Sequence, residues 1–188
     1  MPIRNSRDQW GMVSIALHWL TLLLIIGMAT VGLLMVDMAN GPAKIQVYSL
    51  HKSFGLTVLG LTALRLLWRL AVGTPRPVPG TPMWQDAIAR MTHGALYVLL
   101  LAVPISGWWF NSAAGFPLRW FGLVRLPALT TFDPAIKELA KDLHENLFWL
   151  MACLIFIHAA AALWHHYRLK DRTLARMLPW LKQGNRIS

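Results

Sequence analysis

Seven histidines are the residues of this chain best equipped for chemistry: His18, His51, His93, His144, His158, His165 and His166. An imidazole binds metals through either ring nitrogen and exchanges a proton near neutral pH. His144 and His158 are 14 positions apart, which on an α-helix is a rise of about 21 Å with the two rings only about 40° apart around the axis. They would point to one side of a helix at two depths, and His165, seven positions further, falls almost on the same line. The single cysteine, Cys153, excludes an internal disulfide, a CxxCH haem attachment and any four-thiolate cluster supplied by this chain alone. A metal would have to be held by something else, and histidine is available.

The elements that must carry these histidines are set by composition. Of the 188 residues, 56% are hydrophobic and 14% charged, with a mean hydropathy of +0.46, too apolar for an ordinary soluble domain. A hydrocarbon core about 30 Å thick needs about 20 apolar residues of helix. There are 28 uncharged residues between Asp8 and Asp37, 28 between Arg90 and Arg119, and 22 between Glu145 and Arg168. The stretch from Lys52 to Arg65 has only 12, but Arg65 and Arg69 lie toward one end, where long basic side chains reach the interface. The expected fold is an all-α membrane protein, a four-transmembrane-helix bundle, with spans at about 13–36, 52–72, 91–111 and 145–167 in one domain covering 1–188. The first apolar run is too long for a signal peptide and is read as a retained span. Thr74 to Pro82, with four prolines, is expected to be a loop. The longest loop covers about 112–141, and a helix is expected to start within it, with Asp133 as N-cap and Pro134 at its first position.

A formal charge of +10 and a pI near 10.7 would suggest nucleic acid in a soluble protein. Here the basic residues flank apolar runs. With four spans both termini share a side, which would carry Arg4, Arg7, Arg65, Arg69, Arg76, Arg90, Arg168, Lys170, Arg172, Arg176, Lys182 and Arg186, against Lys44, Lys52, Arg119, Arg125, Lys137 and Lys141 on the other. Because Lys and Arg favour the cytoplasm, both termini are expected there, and no nucleic-acid partner is expected.

Depth then groups the histidines. His51 and His144 fall at the outer level on different helices; His18, His93 and His158 fall at the inner level. Two imidazoles facing each other across neighbouring helices suit a six-coordinate haem lying flat between them, and two levels imply two stacked haems. Spacing alone leaves His18 and His93 as rival partners for His158. Haem propionates would need cations, with Arg65 or Arg69 serving the inner level and Lys52 the outer. The plainer readings are interfacial histidines or zinc, but no carboxylate lies within the spans to complete a zinc site. Trp10, Trp84, Trp120 and Trp180 read as an interfacial belt, Pro104 with Gly107 as a kink for packing or cofactor clearance, and Cys153 as core.

The segments ALHWLTLLLIIG, SLHKSFGLTVLGLTALRLLWR, THGALYVLLLAVPISGW and LHENLFWLMACLIFIHAAAALWHHYRLKDRTLARMLP resemble the bacterial cytochrome b561 family, which is related to the b-type cytochrome subunits of nickel–iron hydrogenases and formate dehydrogenases. The resemblance implies a four-helix inner-membrane protein with two haem b groups that exchanges electrons with ubiquinone. It implies His51 and His144 as ligands of the outer haem and His18 and His158 as ligands of the inner one, with His93 in a supporting role. His165 matches the position expected to meet the quinone, within a polar doublet with His166 followed by Lys170 and Asp171; His166 itself reads as a solvated interfacial residue. Histidine pairs leave no open coordination position, so electron transfer is expected rather than oxygen binding. The expected donor is a small anion, superoxide, steered by positive potential to which Lys44, Lys52, Arg119 and Arg125 would contribute. The rival functions are a cytochrome subunit of a larger quinone-linked dehydrogenase, with a partner subunit or oligomer, and a haem-free membrane anchor or transporter.

Overall fold

The structure is a computed structural model and describes residues 2–181; Lys182 and Arg186 of the expected cytoplasmic tail lie outside the described residues. Four long helices dominate: α1 (Met12–Val36), α2 (Pro42–Val72), α3 (Met83–Ala113) and α4 (Pro134–Trp164). Each is long and apolar enough to cross a membrane. A π-helical turn, His165–Leu169, continues α4, and a short 3-10 turn, Leu174–Arg176, follows it.

The helices outrun the expected spans. α2 begins ten residues before position 52, α3 eight before 91 and α4 eleven before 145. A count of uncharged residues measures the hydrocarbon layer, and a helix that projects beyond it carries polar residues at no cost. The expected N-cap is present: Asp133 Oδ1 accepts the backbone N–H of Ala135 at 2.8 Å and of Ile136 at 3.1 Å, with Pro134 at the first position, where its missing N–H is not needed. Residues 73–82 are non-helical, as their prolines require.

The loop between α3 and α4 holds a feature that apolar run-counting does not reveal, a hairpin of β1 (Leu118–Trp120) and β2 (Val124–Leu126). Its turn needs positive φ at two successive residues, Phe121 (47°) and Gly122 (75°), and closes with Leu123 N–H donating to the Trp120 carbonyl at 2.9 Å. That is the type I′ pattern that matches strand twist.

Packing runs α1 on α2, α2 on α3 and α3 on α4. The bundle shows apolar side chains outward and small hydroxyls inward. The largest fully buried side chains are Thr21, Thr62 and Ser53, each donating its hydroxyl to the carbonyl one turn back (Leu17, Val58 and Ser49). Small residues let helix backbones approach closely where lipid offers no hydrophobic drive for association. Cys153 corrects an expectation: it is exposed on the bundle surface rather than in the core. The position is mid-span, and lipid is as apolar as a core, so hydropathy does not separate the two.

One end of the bundle is closed by a network joining the N-terminal segment, the α2–α3 loop and the tail. Asn5 Nδ2 donates to the Gly73 carbonyl at 2.8 Å, Arg76 N–H to the Arg7 carbonyl at 2.8 Å, the Arg176 guanidinium to the carbonyls of Asp8 and Arg76, and Trp19 Nε1 to the Met177 carbonyl at 2.9 Å. The described N-terminal segment and the described residues after α4 therefore lie on the same side, and the hairpin lies on the other.

Candidate functional site: two facing histidine pairs

At the end of the bundle away from the termini, His51 of α2 and His144 of α4 face each other with ring centroids 6.5 Å apart and planes at 86°. Both line a cavity of about 430 Å³ whose walls include Ile25, Met28, Val58, Leu100, Val103 and Met151. The His144 ring is held by α3, its Nδ1 lying 2.9 Å from the Val103 carbonyl and 3.1 Å from Ser106 Oγ. A carbonyl fixes the proton on Nδ1 and leaves Nε2 with a free lone pair, the arrangement that metal-ligating histidines require. His51 Nδ1 is the one buried side-chain polar atom without a hydrogen-bond partner among the described residues, a costly state unless something beyond the chain pairs with that atom.

Two glycines make room for these rings. A Cβ at Gly107 would stand 3.0 Å from His144 Cε1, and a Cβ at Gly32 would stand 3.1 Å from His51 Cε1. At Gly107 the space that a side chain would take is filled by the His144 ring itself. Gly107→Val should therefore push the His144 ring out of line. The expected result is a full-length, membrane-inserted protein that has lost most of any haem held at this level, read from the reduced absorption spectrum of purified protein; an unchanged spectrum would mean that ring position is not set there.

At the other level three imidazoles meet. His18 of α1 and His158 of α4 have centroids 6.3 Å apart and planes at 64°, while His93 of α3 stands 5.2 Å from His158. Two imidazoles bound at about 2.0–2.1 Å on opposite sides of one metal ion have centroids roughly 6–6.5 Å apart. The His18–His158 and His51–His144 pairs match that separation, and the His93–His158 pair is about 1 Å too close. Arg65 Nη2 lies 2.9 Å from His18 Nδ1, and the Arg65 and Arg69 guanidiniums lie over the Tyr97 ring at 5.3 and 5.4 Å. Arginine only donates, and an imidazole with a metal on Nε2 also donates from Nδ1. Occupation of His18 Nε2 would therefore turn Arg65 away from the ring and free it for an anionic group nearby.

His165 stands where regular α-helix gives way to the π-turn. Its Nδ1 lies 2.5 Å from Asp171 Oδ2, an approach made possible by Lys170 in the left-handed conformation (φ 53°), which folds the chain back. Asp171 Oδ1 also accepts Thr173 N–H at 2.8 Å. Burial pushes the Asp171 carboxyl up, but the bonds from His165 and Thr173 outweigh it, and its pKa falls below the ordinary value. A carboxylate on Nδ1 orients an imidazole and leaves Nε2 for exchange with a substrate. Sequence spacing assigns Asp171 no partner, because the backward fold at Lys170 has no signature in it. The His166 ring lies edge-on to Tyr167, with centroids 4.9 Å apart.

The expected cations are dispersed. Lys44 Nζ donates to the carbonyls of Val36 (3.2 Å) and Met38 (2.9 Å), capping α1, and Lys52 Nζ donates to Asn111 Oδ1 at 3.0 Å. Both line the cavity, whereas Arg119 and Arg125 do not and instead face each other across the hairpin.

The family model of prokaryotic cytochrome b561 matches residues 9–180. The chain is 36% identical over 179 residues to cytochrome b561 homolog 2 of Escherichia coli, covering 95% of each chain. It is 33% identical to cytochrome b561 homolog 1 of the same organism, over 92% of this chain and 98% of that one. A probable superoxide oxidase of Yersinia pestis is 32% identical, over 91% of this chain and 96% of that one.

Proposed function

Given that the chain belongs to the prokaryotic cytochrome b561 family, and is thus a multi-pass bacterial membrane protein of b-type cytochrome electron transfer, we propose that it holds two haem b groups and carries electrons from superoxide to ubiquinone. The two facing histidine pairs, each at the separation that one metal between them demands, are the observation that carries this reading. His51 and His144 hold the haem nearer the hairpin; His18 and His158 hold the one nearer the termini. Haem held by these residues would supply one-electron chemistry, which suits electron transfer.

The remaining work falls to the chain's own residues. The Val103 carbonyl and Ser106 keep the His144 ring in one tautomer and orientation. The apolar side chains from Ile25 to Met151 give a largely apolar wall against which a haem ring would lie. Arg65 and Arg69 serve the propionates on the termini side, and Lys52, beside Asn111, serves those on the hairpin side. His165, oriented by Asp171, hydrogen-bonds the quinone carbonyl and passes it a proton from Nε2. Two superoxide anions each give up one electron and leave as dioxygen, and the quinone takes up both electrons and two protons to become the quinol. The termini face the cytoplasm, by the excess of Lys and Arg on that side, and superoxide arrives at the hairpin side. The superoxide donor is supported by the name of the Yersinia pestis relative.

The test is direct. Protein purified in detergent should be red, show a low-spin b-type spectrum on dithionite reduction and contain two haems per chain by pyridine haemochrome assay. One haem per chain would remove one of the two levels, and a colourless preparation from haem-sufficient cells would end the proposal.

A further inference from the structure

The hairpin in the α3–α4 loop lies at an unusual depth. Phe121 N–H donates to Ser53 Oγ at 3.0 Å, and Trp120 Nε1 donates to Thr57 Oγ1 at 3.1 Å. Ser53 and Thr57 are two and six residues further into α2 than His51, about 3 and 9 Å deeper at 1.5 Å per residue. His51 in turn abuts Gly32 of α1, and above that level α1 still shows Leu33, Leu34 and Val36 outward at 48, 66 and 58% exposure. The hairpin therefore lies against α2 at a depth where the bundle is still clothed in apolar residues. Its tip agrees: Leu123 is 79%, Val124 54% and Phe121 40% exposed. An apolar tip at that depth faces acyl chains, not water.

The register places two arginines in the same layer. Leu118, Trp120, Val124 and Leu126 alternate to one face, the face that buries Leu118 and sends the Trp120 indole to α2; Arg119 and Arg125, directly opposite each other, take the other face. Like charges directly opposite across a strand pair repel. Neither arginine is in an ion pair among the described residues, and both are exposed. Two guanidiniums held together, unpaired and beside lipid, are expensive unless an anion lies between them. The anion available along that leaflet is the lipid phosphate, which matches the planar donor fork of arginine.

We propose that this hairpin is a lipid-embedded wedge with a phospholipid headgroup site, in which Arg119 and Arg125 clasp one phosphate from below while Phe121, Leu123 and Val124 stand among its acyl chains. The hairpin thereby tethers the α3–α4 loop to the bilayer beside the mouth of the hairpin-side cavity. The site takes anionic phospholipid and rests on the membrane-spanning fold alone.

Two measurements test it on the full chain. With Cys153→Ala as background, a spin label at Leu123→Cys in phosphatidylglycerol-containing liposomes should collide with dissolved oxygen far more than with a water-soluble nickel chelate; preferential collision with the chelate would place the tip in water and overturn the proposal. In detergent, phosphatidylglycerol should raise the thermal midpoint of the wild-type protein and remain bound in native mass spectra. Arg119→Gln/Arg125→Gln should lose that shift and retain the lipid at least about tenfold less well, with its haem spectrum unchanged as the control for folding. Equal retention by the double variant would overturn the headgroup site. So would a midpoint rise as large with inorganic phosphate, since a free anion would then suffice.

Discussion

His144→Ala is expected to yield protein without the haem on the hairpin side, and His158→Ala protein without the one on the termini side, so each variant should retain about one haem of two. In the proposed ligand set each substitution would leave the iron with a single imidazole from the partner helix. The pyridine haemochrome assay reads the count, and redox titration shows which of the two midpoint potentials has gone. His93→Ala separates the geometry from the alternatives. Its ring is 5.2 Å from His158, too close for a metal between them, so both haems should stay. Should His93→Ala shed a haem while His18→Ala keeps both, the ligand set at that level would be reversed.

The second large effect is expected at the quinone. His165→Leu should retain both haems and their reduction by a donor from the hairpin side, yet slow reoxidation by ubiquinone analogues by about 10²-fold or more, the scale of a lost general acid. The structure adds a graded companion. Asp171 holds His165 Nδ1 at 2.5 Å, so Asp171→Asn should slow the same step by less, through a loss of orientation. The Asp171 carboxyl lies below its ordinary pKa, so the folded pair is favoured while that group is ionised. Its contribution is complete above the ordinary carboxylate range and is lost as pH falls through the depressed value. The Asp171→Asn rate should therefore lose the part of the acid-side decline that this carboxylate causes. Quinone-dependent turnover at wild-type rate in His165→Leu would locate the quinone elsewhere.

The four helices and the two histidine levels were legible because one-dimensional quantities determine them: the length of uncharged runs, and a 14-residue separation that returns a ring to the same face. The Asp133 cap was legible for the same reason, as a local signal with a fixed spacing. What was hidden depends on relations between segments. The hairpin is short, and its strands would not stand alone; Ser53, Phe54 and Thr57 of α2 hold it in place. The roles of Gly32 and Gly107 depend on which ring packs over them, and the proposed choice of His18 over His93 rests on about 1 Å between centroids, which no spacing rule resolves. The outward face of Cys153 was hidden because rotation about a helix that is apolar all round leaves little trace in its composition.

The order of packing along the chain bears on how the protein is made. α1 rests on α2 and α3 on α4, so each half is a helical hairpin able to form as it leaves the insertion machinery. In the proposed ligand set, each haem draws one histidine from the first half and one from α4: His18 with His158, and His51 with His144. Neither pair exists until the last helix has been synthesised. A nascent chain halted before position 144 would offer His18 and His51 without partners, so haem bound by that ligand set would load only after α4 is released, when the two halves close on each other.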